Sequence, residues 1–169
     1  MRRVLALNAM LALLALLAVG LQPAAQASEL IAGVKLGVVE PDLSGFDPIS
    51  TGSIQLGYEF ADLVAIDVAL EGEFATSLDS ADAPAPANEY DYSHAGLFLS
   101  IRNAGPIYGI ARAGIIETTI EQQGVDDSDS GTAYGLGLGF STGVRLEVEW
   151  TRYEFRDNDM NQLTLHMAF

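Results

Sequence analysis

The last ten residues, Met160 to Phe169, alternate strictly. Leu163, Leu165, Met167 and Phe169 fall on one face; Gln162, Thr164, His166 and Ala168 fall on the other. A period of two marks a strand with one apolar and one polar face. The apolar face runs to the final aromatic. Chain ends fray unless something holds them, so a strand of this kind needs a pairing partner. A closed barrel supplies one, because its last strand pairs with its first and leaves no edge.

Seven further segments share this rhythm, which predicts eight strands in all. The first is Leu30–Val39, with Leu30, Ala32, Val34, Leu36 and Val38 on one face. Thr51–Phe60 sets Ile54, Leu56, Tyr58 and Phe60 against Ser53, Gln55, Gly57 and Glu59. Leu63–Thr76 sets Val64, Ile66, Val68, Leu70 and Phe74 against Asp67, Glu71 and Glu73. Tyr90–Arg102 places Ala95, Leu97, Leu99 and Ile101 opposite His94, Ser100 and Arg102. Ile107–Glu121 alternates least cleanly. In Thr132–Phe140, Tyr134, Leu136, Leu138 and Phe140 alternate with glycines, and in Gly143–Arg156, Val144, Leu146, Val148 and Trp150 oppose Arg145, Glu147, Glu149 and Thr151. The connections Ala61-Asp62, Asn103–Pro106 and Ser141-Thr142 read as tight turns. Glu40–Ser50, Ser77–Glu89 and Gln122–Ser130 read as longer loops, and Asp157–Asp159 as a short one. The stretch Ala81 to Asn88 is a loop on composition.

The start of the chain reads differently. Arg2 and Arg3 precede an apolar run from Val4 to Leu21, followed by Ala25-Gln26-Ala27. A basic start, an apolar region and a small-x-small site make a secretory signal peptide. The expected division is residues 1–27 as leader and 28–169 as one barrel domain. There is no cysteine, hence no disulfide and no lipid attachment point. No other apolar run is long enough for a membrane helix, so any spanning segment after the leader must be a strand. The formal charge of −15 becomes −17 once the leader's two arginines are removed. Such acidity argues against nucleic acid as a partner and against direct contact with anionic lipid heads. Bridging divalent cations would still permit contact with lipopolysaccharide.

Alternation does not say which face looks outward. A soluble lipocalin-like barrel turns its apolar face in, whereas a membrane barrel turns it out. The polar face decides. A water-facing surface is roughly a quarter to a third charged, with both signs mixed. Here the polar face is mostly Gly, Ala, Ser and Thr, and Lys35 is the only lysine. Small residues suit the crowded interior of a narrow eight-stranded barrel. The strands also reach the roughly 9–11 residues that a tilted span needs. The expected fold is therefore all-β: a closed, antiparallel, eight-stranded, up-and-down transmembrane barrel. Tyr58, Phe60, Phe74, Trp150 and Phe169 would form its membrane-interface aromatics.

The run Gly57 to Phe74, G-Y-E-F-A-D-L-V-A-I-D-V-A-L-E-G-E-F, resembles the second hairpin of the small outer-membrane β-barrel family. That family includes the OmpA-type membrane domain, OmpX and porin-family barrels. The leader, the strand count and the terminal Phe169 extend the likeness over the whole chain. The resemblance implies residence in the bacterial outer membrane, a lipid and lipopolysaccharide surround, and Phe169 as a signal read by the barrel-assembly machinery. The peptidoglycan-binding domain of OmpA-type proteins is not part of the likeness.

The inward face carries both charge signs. Glu59, Asp67, Glu71, Glu147 and Glu149 could pair with Lys35, Arg102, Arg112 and Arg145, because a lone buried charge costs several kcal/mol. The expectation is a lumen salt-bridge network with Arg112 at its centre. Val125 to Ser130 gathers three carboxylates, Asp126, Asp127 and Asp129, without the full calcium-loop pattern. A lipid A-modifying enzyme would need a Ser/His/acid set near one rim. Ser93-His94 is the best candidate pair, yet neighbours on a strand point to opposite faces. His166 lies on the closing strand, toward the inner end. The leading expectation is thus a non-enzymatic, monomeric barrel with a structural or surface-interaction role, without cofactor or metal. A small passive pore is the alternative and a lipid A-modifying enzyme the third reading. A wide porin, at roughly 16–18 strands, is excluded.

Overall fold

A computed structural model describes residues 29–63, 66–84, 89–141, 143–156 and 158–169. The leader lies outside them, as do Val64, Thr142, Asp157 and the end of the Ala81–Asn88 loop. Among the described residues nine strands form one antiparallel sheet: β1 (Glu29–Pro41), β2 (Ile49–Leu63), β3 (Ile66–Ser77), β4 (Ala81–Asp82), β5 (Glu89–Asn103), β6 (Ile107–Gln122), β7 (Val125–Ser141), β8 (Arg145–Glu154) and β9 (Asp159–Ala168). β4 is a two-residue flap on β5. The other eight close into a barrel, each paired with its chain neighbour.

Closure joins β1 to β9 over a register from Gly33↔Ala168 to Pro41↔Met160. The last residue takes part: Phe169 N–H donates to Ala32 O at 2.9 Å, and Ala32 N–H donates to Phe169 O at 3.0 Å. The final strand therefore leaves no free edge along the wall.

The apolar face points outward on every strand that alternates. Leu36 is 60% exposed, Leu138 69% and Leu163 58%, whereas Glu73, Glu149 and Lys35 on the polar face are each 2% exposed. This is the reverse of a water-soluble barrel. The outward band is wide and continuous, far beyond the isolated apolar residues a soluble surface carries.

Several strands differ from the sequence expectation at their ends. The segment Gln122–Ser130, expected as a loop, is mostly strand. β6 and β7 stay paired to Gln122↔Val125, and the turn is only Gln123-Gly124. Both turn residues have positive φ, 51° and 77°, which is the two-residue hairpin geometry that matches strand twist. Asp126–Ser130 carries no apolar alternation, so its strand character comes from pairing with β6 alone. The expected Gly143–Arg156 strand is shorter, Arg145–Glu154, because Gly143 turns at φ 100°. At the start of β3, Leu63 instead ends β2, and a register shift between Glu59 and Ala61 marks a bulge.

One rim of the barrel thus carries short connections, at 64–65, 104–106 and 142–144. The other carries the 42–48 and 78–88 loops and the projecting β6–β7 hairpin. Of the five aromatics singled out above, Phe60 and Phe169 are exposed at the short-turn rim, 49% and 66%, and Tyr58 stands two residues before Phe60, half-buried. Phe74 and Trp150 sit higher. Trp150 meets Tyr134 edge-on, with ring centroids 6.2 Å apart.

Candidate functional site: a charged lumen under an apolar cap

The inward polar face converges in the lumen in layers. Nearest the short-turn rim, Arg145 Nη1 lies 3.1 Å from Glu59 Oε2. Above it, Arg102 contacts Glu71 at 2.7 Å and Glu147 at 2.9 Å. Glu147 also accepts from Tyr108 Oη at 2.9 Å and meets His166 Nδ1 at 2.7 Å. In the next layer Arg112 contacts Glu73 at 2.7 Å and Glu149 at 2.9 Å. Lys35 joins the same two carboxylates at 2.8 and 3.2 Å. The Arg112 guanidinium also stacks on the Phe98 ring, 4.0 Å from its centroid.

This layering follows from strand geometry. Residues two apart on a strand share a face, so Glu71 and Glu73, and Glu147 and Glu149, each supply two successive layers. Two acids and two bases in one layer neutralise each other, which burial in a low-dielectric lumen requires. The glycines of β7 make room. Gly135, Gly137 and Gly139 leave the wall bare where Arg112, Glu149 and Tyr108 lie. A methyl at Gly139 would overlap the Tyr108 ring, and one at Gly33 would overlap His166.

Of the nine lumen residues read from the sequence, eight meet in these ion pairs. Asp67 does not: it is half-buried at the short-turn end of β3, and among the described residues it forms no ion pair. Glu73 belongs at the centre beside Arg112. The period-two pattern had placed it on the correct face, but nothing in the sequence says which carboxylate on a face will be met from across the barrel. Tyr108, His94 and His166 are further members. The side chains of two polar residues on the β2 wall beside Lys35, Ser53 and Gln55, are buried without a hydrogen-bond partner among the described residues. Such groups are ordinarily met by water.

Above the charged layers the lumen becomes apolar. Val39, Ile49, Tyr90, Tyr92, Phe98, Ile116, Tyr153 and Met160 form one buried cluster, with Phe46, Ala81 and Ala83 packed on it from the long loops. Phe46 meets Tyr90 edge-on at 5.1 Å. Tyr90 Oη donates to Asp47 O at 2.7 Å, tying the 42–48 loop down. Asp47 N–H donates to Asp82 O at 3.0 Å, tying that loop to β4. The cap joins the charge layers through Tyr92, whose hydroxyl lies 2.8 Å from His94 Nδ1; His94 Nε2 lies 3.2 Å from Glu73.

The other candidates do not assemble. His94 points into the lumen, while Ser93 is on the opposite face of β5, so the two do not form a nucleophile–base pair. His166 is held on Glu147. In the β6–β7 hairpin, Asp127 and Asp129 share one face and Asp126 lies on the other, so the three carboxylates do not converge on one point. Among the described residues no group of three or more His, Asp or Glu is placed to hold a metal ion.

A family model described as outer membrane protein beta-barrel domain matches residues 11–168. No curated protein matches the chain. Solved structures match its fold at low identity. The N-terminal β-barrel domain of Pseudomonas aeruginosa OprF is 12% identical, with a TM-score of 0.58, over 85% of this chain and 100% of that one. The attachment invasion locus protein Ail of Yersinia pestis is 18% identical, with a TM-score of 0.52, over 84% and 97%. The outer membrane enzyme PagL is 14% identical, with a TM-score of 0.51, over 81% and 98%.

Proposed function

Since the chain belongs to the outer-membrane β-barrel domain family, we propose that it is a closed barrel of the bacterial outer membrane whose work is done at its surface, not through its lumen. The observation that carries this reading is the double seal. The charge layers of Lys35, Arg112, Glu73 and Glu149 are overlain by an apolar cap that both long loops help to build. An ion crossing would have to break paired charges and then pass an apolar plug, and both steps are costly.

On this reading residues 1–27 are a leader removed on export, and the barrel is a monomer in contact with lipid and lipopolysaccharide. Phe60 and Phe169 mark the inner interface; Phe74 and Trp150, with Tyr134, stand farther out along the wall. Phe169 is the assembly signal for the barrel-assembly machinery. Catalysis is not part of the reading, although PagL shows that the fold can host an enzyme; fold alone does not decide.

A passive pore is the second reading. The unpartnered polar wall of Ser53 and Gln55 favours it, as a place for water within the lumen. Planar-bilayer recording of the refolded mature barrel separates the two. Silence supports the closed barrel; a steady open channel overturns it.

A further inference from the structure

The outward face of β7, β8 and β9 is not flat. Leu136, Leu138, Val148, Trp150 and Leu163 stand around the backbone of Gly137 and leave a groove of about 360 Å³. All five side chains belong to the exposed apolar band. The groove is three strands across, about 10 Å at the usual strand spacing. That width suits the chains of one phospholipid and is narrow for the larger set carried by lipid A.

The wall above the groove changes in a fixed order. The ladders put Leu136, Trp150 and Leu163 in one row, and Tyr134, Arg152 and Asn161 in the next toward the long-loop rim. Glu154 and Asp159 form the row after. Residues two apart share a face, so all three rows look outward. Asp42 joins the last row, where its N–H donates to Asp159 O at 2.8 Å. From the middle of the wall toward the rim the order is apolar groove, aromatic pair, one cation, three carboxylates.

Arg152 is only partly used by its neighbours. Its Nη2 donates to Asp159 at 2.7 Å, and its Nη1 to Asn161 at 3.2 Å and to Asp42 at 3.3 Å. Its Nε is 4.0 Å from Glu154, beyond hydrogen-bond range. A guanidinium carries five N–H groups, so three bonds leave two for an acceptor from outside. The four charged side chains are between 26% and 51% exposed, within reach of a headgroup. One cation against three carboxylates leaves a surplus of two negative charges among the described residues of the cluster.

We propose that this part of the wall is a binding site for one phospholipid with an ethanolamine headgroup. An acyl chain fills the groove, and the glycerol region meets Trp150 and Tyr134, as aromatic side chains do at a membrane interface. The phosphate takes the remaining N–H groups of Arg152, the side chain suited to that anion. The ammonium, next along the headgroup, meets the carboxylates of Asp42, Glu154 and Asp159. A phosphatidylglycerol would satisfy Arg152 and leave those carboxylates facing a second anion. A choline headgroup brings the charge but no N–H donor. The site presupposes that the apolar band faces lipid, and it adds one chosen lipid at one place. The two fail separately: refolding into bilayers tests the band, and lipid selectivity tests the site.

The test refolds the mature barrel into phosphatidylcholine bilayers, where Trp150, the only tryptophan, reports the lipid beside it. The probes are phosphatidylethanolamine, phosphatidylglycerol and phosphatidylcholine with brominated chains, each at the same mole fraction, because bromine quenches a tryptophan it touches. Quenching should give phosphatidylethanolamine an affinity at least about threefold above the other two, the scale of one or two exposed charge contacts. Arg152→Gln should bring the three lipids together. A second reporter, Trp150→Phe with Leu99→Trp, sits three strands away on β5. It should show no preference, because β5 and β6 turn Arg102 and Arg112 inward. Equal quenching by the three lipids, or a preference for phosphatidylglycerol, would overturn the proposal. So would a preference that survives Arg152→Gln, or one repeated at the β5 reporter. Unbrominated lipid A that displaces the brominated phosphatidylethanolamine better than phosphatidylethanolamine itself would give the groove to lipopolysaccharide and overturn it too. If Arg152→Gln fails to fold, the β5 reporter still decides.

Discussion

Glu73→Gln tests whether the lumen is a dry ion-pair layer. The Glu73 and Lys35 side chains are 0% and 1% exposed, and Arg112 is 0% exposed, so solvent screening gives no discount. The wild-type carboxylate serves Lys35 at 2.8 Å, Arg112 at 2.7 Å and His94 at 3.2 Å. The amide keeps the volume and one acceptor but loses the charge, leaving two cations to share Glu149. Removing one partner of a buried pair costs about 3–5 kcal/mol, mostly through the charge left behind. With a urea slope of about 1–3 kcal/mol/M, the midpoint should fall by on the order of 1–5 M. The assay is urea unfolding of the refolded barrel in lipid, followed by the fluorescence of Trp150, the only tryptophan. Adding Lys35→Met removes the surplus cation and should recover part of the loss, a coupling of about 0.5–3 kcal/mol. A Glu73→Gln midpoint within about 0.2 M of wild type, at most about 0.6 kcal/mol at that slope, would refute the reasoning. It would mean that water reaches and screens this layer.

Three further perturbations bear on other parts of the barrel. Gly139→Ala should push the Tyr108 ring off Glu147 and cost about 1–3 kcal/mol as an overpacking defect, read in the same unfolding assay. Arg145→Met removes the pair nearest the short-turn rim, whose arginine side chain is 21% exposed; it should cost no more than about 1 kcal/mol and leave planar-bilayer conductance unchanged. A rise in conductance would place a gate at the short-turn rim. Calorimetry with calcium should show no binding heat, because the alternation of β7 divides the three aspartates between faces; a stoichiometric heat would mean that the hairpin rearranges around the ion.

The barrel was legible from the sequence because a membrane strand carries its instruction locally. In β9 every second residue is greasy, so ten residues specify the strand, its two faces and its span; which face looks outward is read from the small residues that make up the polar face. The hairpin at 123–124 was not legible. Asp126 to Ser130 has no apolar face to alternate, and only the template of β6 makes it a strand. The lumen network was half legible. Period two put Glu59, Glu71, Glu147, Glu149, Lys35, Arg102, Arg112 and Arg145 inside. The pairing partners, and Glu73 at the centre, depend on distances across the cylinder that no window of sequence contains. The apolar cap was missed for a related reason. Phe46 and Tyr90 lie far apart in the chain, and Tyr90, Tyr92 and Tyr153 occupy inward positions that the strand pattern assigns to small polar residues.

The pairing of Phe169 with Ala32 has a consequence for how the chain can be rearranged. The two ends of the folded chain lie side by side at the short-turn rim, so a brief linker between them would add little closure cost. A gene opened at Gln123-Gly124 and rejoined through such a linker should encode the same cylinder with every ladder intact. Its sealing seam would move from β1 and β9 to β6 and β7, the longest ladder in the molecule.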